Sequence, residues 1–301
     1  MTLRWPLTRL GAMVRRNPVL ARLVLRLVPN TVKTVGLATI GPFAYRRRTN
    51  RWLWLRGVAE TERVPWTMLR ALVDADSVVF DCGANIGLYC RYLTGALGCK
   101  QVYAFEPDPS NCEMLGLNLR LGCIEGRVVV LPIALADVDG LAEFQLDDMQ
   151  SASGTLSRAS GGEASEGRQN LRLPPLVCSV QARSIDSLIR CGTVPVPDVL
   201  KVDVEGAEAL LLHGAAELLR GRGPGLVIEL HGAEVARSAL QALLSAGYSV
   251  VANVEPRLDP SGFCMLDKSA VHSIRGRYDV HFIACSRDSS LLQALLKTLR
   301  R

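Results

Sequence analysis

The sequence has nine cysteines but no Cys-x-x-Cys pair and no Cys/His cluster. An odd, dispersed set of thiols excludes a zinc-ribbon site and a disulfide framework, so a reduced cytoplasmic setting is the simplest expectation. Long apolar runs are also lacking. The uncharged stretch Thr34–Tyr45 falls well short of the roughly 20 residues that span a bilayer, and arginines interrupt what would otherwise resemble a secretory signal. No internal repeat is present. Acid is nearly missing from the N-terminal part: residues 1–60 hold twelve Lys/Arg and a single acid, Glu60. The rest holds 23 basic and 28 acidic residues. A mildly acidic body argues against nucleic acid as a partner, because phosphate binding would rest on the N-terminal arginines alone.

Those arginines alternate with Leu and Val in Asn17–Val28, "NPVLARLVLRLV". The pattern suits an amphipathic helix packed on the body, or one lying peripherally on the inner membrane. We take residues 1–60 as a basic N-terminal extension containing that helix and a small hairpin over 43–57, turning at Thr49-Asn50. Residues 61–301 form the main domain. The apolar fraction of 49% and charged fraction of 21% are those of a folded globular chain.

From residue 64 onward β-rich runs alternate with helical patterns, which predicts βαβ units and a parallel sheet. Seven strands are expected, at 77–82, 101–106, 127–133, 198–203, 226–231, 248–253 and 278–285, with helices at 110–121, 206–220 and 233–246. The fold class is α/β, a doubly wound sheet whose last strand is antiparallel. The Ser/Gly-rich stretch 150–170 reads as a loop or lid.

The first expected strand ends in "DCGANIG", with Asp81, Gly83, Asn85 and Gly87. A glycine-rich turn at this position lets a ligand approach the backbone closely. Glu106 ends the second strand, where a doubly wound fold places the carboxylate that binds ribose hydroxyls. The turn is G-x-x-x-G rather than G-x-G-x-x-G, and the charge of Asp81 would oppose a pyrophosphate. S-adenosylmethionine, with a ribose, an ammonium, a sulfonium and no phosphate, fits better. A nicotinamide-dependent dehydrogenase is the second candidate, and a non-catalytic nucleotide-fold module held at a membrane the third.

The segments "VVFDCGANIGLY", "YAFEPDPSN", "LPIALADVDG", "SIDSLI", "LKVDVEGAEALLLHGA" and "VIELHG" come in an order and spacing that resemble FkbM-type methyltransferases. The resemblance covers roughly residues 60–285. It implies a class I, Rossmann-like S-adenosylmethionine-dependent methyltransferase fold and O-methylation of a sugar or polyketide hydroxyl. It further implies that Asp81, Gly83, Asn85 and Gly87 line the methionine and ribose side, that Glu106 holds the ribose diol, and that Ala134 sits by the adenine.

In such a sheet the fourth and fifth strands are neighbours. Side chains repeat every two residues, so Lys201 shares a face with Asp203, and Glu229 with His231. Matched registers would pair Lys201 with Glu229 and Asp203 with His231, which would account for charge inside buried strands. On this basis His231 is the expected general base, Asp203 orients it, and Glu229 supports the pair. Glu205 and Glu208 read as acids favouring the following helix dipole. A magnesium ion on Asp203, Glu205 and Glu229 is an alternative, disfavoured because a lysine beside Glu229 would compete with it. The acceptor, a small molecule or glycan, cannot be read from these residues, nor can the oligomeric state.

Overall fold

The structure, a computed structural model, describes residues 28–51, 53, 58, 62–149, 153–159, 168–169, 172–255, 262–267 and 279–300. The amphipathic segment expected at 17–28 lies outside the described residues but for Val28. So does most of the Ser/Gly-rich stretch 150–170. Among the described residues no helix is long and apolar enough to cross a membrane.

The described residues begin with a hairpin of β1 (Val32–Leu37) and β2 (Gly41–Arg46), and helix α1 (Arg63–Leu72) lies further along the chain. The turn lies at Ala38–Ile40 and leads into Gly41 at φ +75°, not at Thr49-Asn50. The uncharged run Thr34–Tyr45 is thus the hairpin itself. It packs on the main domain: Phe43 and Ala44 are fully buried in the same core as Leu69, Val79 and Tyr92. Burying a phenylalanine contributes about 1.5–3 kcal/mol. Asn118 accepts from Ala44 N–H at 2.6 Å and donates to Ala44 O at 2.9 Å and Ile86 O at 2.8 Å. Its amide clips β2 to the body as a neighbouring strand would.

The main sheet then builds as βα units: β3 (Val78–Cys82), α2 (Leu88–Arg91), β4 (Gln101–Phe105), α3 (Pro109–Gly122) and β5 (Val128–Leu131). The side sheet comes next, from β6 (Ala134–Leu135), β7 (Gly140–Leu146), β8 (Thr155–Leu156) and β9 (Leu176–Arg183). The main sheet resumes with α4 (Ile185–Arg190), β10 (Val199–Val202), α5 (Glu208–His213), α6 (Ala216–Arg220), β11 (Gly225–Glu229) and α7 (Ala233–Ser245). Strands β12 (Ser249–Glu255), β13 (Phe263–Leu266) and β14 (Asp279–Ser286), with helix α8 (Ser289–Leu299), complete it.

All seven expected strands are present, and the sheet order is β13-β12-β14-β11-β10-β3-β4-β5. Strands β5, β4, β3, β10 and β11 are mutually parallel, while β14 is antiparallel between β11 and β12. An eighth strand, β13, extends the edge as an antiparallel partner of β12. Leu200, Val202 and Ile228 face one core with α5, α6 and α7, and Val79, Val199 and Val227 face the other. The chain order reverses between β3 and β10, and ligands bind at that crevice in open α/β sheets.

The side sheet, order β6-β9-β7-β8, was not expected. Its strands include two of only two residues each, and β8 falls inside the stretch read as a loop. Phe144, Leu156 and Val180 pack with Ala207 to set this sheet over the carboxyl edge of the main one. Gly214 joins α5 to α6, where the sequence suggested one helix, and a Cβ there would stand 1.9 Å from Ala136 O. Gly214→Ala should therefore push the side sheet off the body. We expect a loss of about 1–3 kcal/mol in a urea titration, whereas Gly126→Ala, which meets nothing within 4 Å, should leave the midpoint in place.

Candidate functional site

At the carboxyl ends of β3, β4 and β10, under the side sheet, lies a cleft. Its floor is the turn after β3. Gly83, at φ +78°, presses so closely on the end of β10 that a Cβ would sit 1.8 Å from Asp203 O. Asn85 is left-handed at φ +49°, a conformation asparagine tolerates better than most residues. Of the residues assigned to the cofactor from sequence, Gly83, Asn85, Glu106 and Ala134 line the cleft.

Asp81 and Gly87 do not line it. A Cβ on Gly87 would meet Leu115 Cδ1 at 2.5 Å, so this glycine serves the packing of α3. Asp81 is fully buried beneath the turn, 3.4 Å from Lys201 Nζ, and accepts from Cys90 Sγ–H at 3.2 Å. The ladder puts Lys201 opposite Asp81 on β3 and opposite Val227 on β11. The expected Lys201–Glu229 pair is therefore absent, because the two strands align two residues out of the assumed register. Lys201 Nζ instead donates to Gly83 O at 3.0 Å, reaches Asp203 Oδ2 at 3.4 Å and stands 4.4 Å above the Tyr89 ring. Burial disfavours the ammonium charge, but Asp203 and Asp81 outweigh that and hold Lys201 above its usual range. Burial raises the Asp81 carboxyl, and Lys201 opposes the rise.

Glu106 follows β4 and lines the cleft. Its Oε2 accepts from Asn85 N–H at 2.7 Å, and its Oε1 from Asp108 N–H at 2.9 Å and Asn111 Nδ2–H at 3.3 Å. Burial pushes its pKa up to about 7 against those donors.

The other end of the cleft is a cluster the sequence foreshadowed only in part. His231 follows β11, and its nearest partner is not Asp203 but Glu208, whose Oε1 lies 2.8 Å from Nδ1. His231 Nε2 points at three further carboxylates: Glu205 Oε2 at 3.5 Å, Asp203 Oδ1 at 3.9 Å and Glu229 Oε1 at 3.9 Å. Burial disfavours the imidazolium, but the Glu208 hydrogen bond and the fields of Glu205, Glu208 and Asp203 outweigh it, raising the pKa to about 11. With Nδ1 engaged by Glu208, His231 is not the free general base, oriented by Asp203, expected from sequence. Glu229 is raised to about 8 by burial first and Asp203 second, against the pull of His231. Burial likewise drives Glu205 well above the ordinary carboxylate range.

Glu208 is completely buried, and Glu205 adopts φ +52°, an unfavourable backbone for a residue with a Cβ. Glu205 lies in the turn before α5, and Glu208 is its first residue. A signal for Glu208 was available: it shares the apolar helix face of Leu211 and Leu212, an odd place for an acid merely favouring a dipole. Phe144, Gly154 and Leu156 also line the cleft. The sequence alone places lining residues somewhere within 143–180; the side sheet decides that these three reach the cleft.

Residues 81–250 match the family profile described as "Methyltransferase FkbM domain". The chain is 30% identical over 178 residues to the hexuronic acid methyltransferase AglP of Haloferax volcanii, covering 59% of this chain and 64% of that one. It is 29% identical over 182 residues to the AMB antimetabolite synthetase AmbE of Pseudomonas aeruginosa, covering 52% and 8%. It is 28% identical over 201 residues to the 31-O-demethyl-FK506 methyltransferase FkbM of Streptomyces tacrolimicus, covering 60% and 75%. The alignments thus span under two thirds of AglP and a small part of AmbE. Among solved structures, methyltransferase FkbM from Methylobacillus flagellatus is 18% identical with a TM-score of 0.45, covering 72% of this chain and 47% of that one.

Lys201→Met strands Asp81 as a buried, uncompensated charge. Unfolding in urea should show a loss of about 3–5 kcal/mol, much of it recovered in Asp81→Asn/Lys201→Met. A single variant as stable as the parent would mean that the pair carries no such role.

Proposed function

The chain belongs to the FkbM family of methyltransferases, and from that premise we propose that it is an S-adenosylmethionine-dependent O-methyltransferase. Its acceptor is a hydroxyl of a sugar, of a glycolipid or polysaccharide precursor, or of a polyketide-like small molecule. The observation that carries this is the charge of the cleft. Among the described residues lining it are Glu106, Asp203 and Glu205, and no lysine or arginine. That lining repels a pyrophosphate and suits a ligand bearing a sulfonium and an ammonium, which sets the dehydrogenase alternative aside.

The donor, when bound, supplies an electrophilic methyl group on a positively charged sulfur. Gly83 and Asn85 would let its backbone-hugging part approach the turn, Glu106 would accept from the ribose diol, and Ala134 with Phe105 and Leu135 offers apolar surface to the adenine. The acceptor belongs at the opposite end, before Asp203, Glu205 and Glu229. Glu229 remains 36% exposed at that rim, and its carboxylate form, increasingly populated as pH rises toward about 8, takes the hydroxyl proton. His231, tied down by Glu208, holds the surrounding carboxylates in place. Lys201 fixes the height of the turn through Gly83 O. AglP, named for a hexuronic acid, and FkbM, named for 31-O-demethyl-FK506, support oxygen acceptors of this kind.

Incubation with labelled methyl donor and a panel of sugars, uronic acids and macrolides should transfer label to one class. Its new methoxy group, located by NMR, identifies the oxygen. Label in none of them, with donor binding intact, would refute the acceptor class. Glu229→Gln should lower kcat by about 10²–10⁴-fold while donor affinity stays within about twofold; an unaffected kcat would move the base elsewhere.

Donor affinity should also respond to pH. The carboxylate form of Glu106 is the one that accepts two hydroxyls, and its pKa is about 7. Below that value the group is protonated before binding, so calorimetry should show affinity falling up to about tenfold per pH unit, with proton release on binding. Glu106→Gln should flatten that slope.

A further inference from the structure

We infer that Asp203, Glu205 and His231 form a site for one divalent first-row metal cation at the acceptor end of the cleft. One ligand atom from each of the three residues lies within 4.8 Å of the other two. His231 Nε2 stands 3.5 Å from Glu205 Oε2 and 3.9 Å from Asp203 Oδ1. These separations are too long for hydrogen bonds. They are those of neighbouring ligands around one ion, about 3–4 Å for metal–ligand bonds of about 2.0–2.3 Å.

Three observations single the cluster out from an ordinary patch of acids. First, Asp203 Oδ1 is buried and accepts no hydrogen bond, an orphaned acceptor facing the imidazole. Second, His231 is oriented from behind by Glu208, 2.8 Å from Nδ1 and fully buried. A carboxylate holding the far nitrogen of a histidine fixes the ring and its tautomer for a metal on the near one. Third, four carboxylates, those of Asp203, Glu205, Glu208 and Glu229, converge on one imidazole. That is more acceptor oxygens than one ring can satisfy, and an arrangement that a divalent cation relieves.

The sequence-based objection to a metal falls with the register. The lysine thought to stand beside Glu229 lies opposite Val227 and points into the Asp81 pair. A set of one nitrogen and two oxygens favours manganese, iron or zinc over magnesium, which prefers oxygen alone. The inference deepens the proposed methyl transfer and rests on it for its use, though not for the binding itself. A cation there would take the acceptor oxygen as a further ligand and make its hydroxyl easier to deprotonate, with Glu229 at the rim as proton acceptor.

Manganese(II) binding is read directly from the loss of the free-ion EPR signal on titration of the metal-stripped full chain. We expect one saturable Mn²⁺ per chain. Glu205→Gln and Asp203→Asn should each weaken binding at least tenfold, and Glu208→Gln, which removes only the orienting group, by about 10–100-fold. Circular dichroism and S-adenosylmethionine binding on the same samples report folding and the donor cleft. No saturable binding below 1 mM, about −4 kcal/mol, or wild-type affinity in folded Glu205→Gln and Asp203→Asn, overturns the site. Mn²⁺ binding without donor binding would leave the metal site standing and remove the proposed function; the reverse would do the opposite.

Discussion

The buried ion pair between Asp81 and Lys201 is the constraint on which the rest of the site depends. It joins the first and fourth strands of the parallel core at directly opposed positions. An ion pair taken out of water stabilises little by itself, but losing either member is severe. That asymmetry makes it a register pin. Once Lys201 is satisfied by Asp81, its remaining capacity goes to Gly83 O and Asp203 Oδ2. A single ammonium thereby sets the height of the glycine turn and the direction of a cleft carboxylate. The absent side chain of Gly83 lets the turn come that close to the end of β10.

Polarity along the cleft follows from this arrangement. On one side Glu106 is held by three N–H donors between an apolar wall and the turn. On the other, four carboxylates converge on His231. Among the described residues lining the cleft there is no lysine or arginine, and Lys201 is consumed below the floor. The cleft thus presents mainly carboxylates to a ligand. On the proposed reading a sulfonium nucleoside and a divalent ion would draw on them at opposite ends.

Local patterns carried much of this into the sequence. The seven strands are apolar runs bounded by turn residues, and Glu106 stands at a fixed distance beyond a glycine turn, so both could be read along the chain. Register could not. Which residue of β10 faces which residue of β11 depends on how the intervening helices α5 and α6 pack, and Gly214 splits them against the side sheet. A two-residue slip turned a Lys201–Glu229 pair into a Lys201–Asp81 pair. It also made His231 a partner of Glu208, a residue whose helix-start position supplied a sufficient but incomplete explanation. The side sheet was missed because strands as short as Ala134–Leu135 carry no period to detect. The hairpin Val32–Arg46 carries no Asn-Gly or Asp-Gly turn to announce it, and most of the second arm expected after Thr49-Asn50 lies outside the described residues.

The most direct test is equilibrium dialysis of radiolabelled S-adenosylmethionine against the purified chain, with and without millimolar NAD⁺. An acidic, phosphate-free cleft should retain one donor molecule per chain and hold it undiminished in the presence of NAD⁺. No retained label, or label chased out by the dinucleotide, would show that the negative edge of this sheet is not a receptor for a cationic nucleoside.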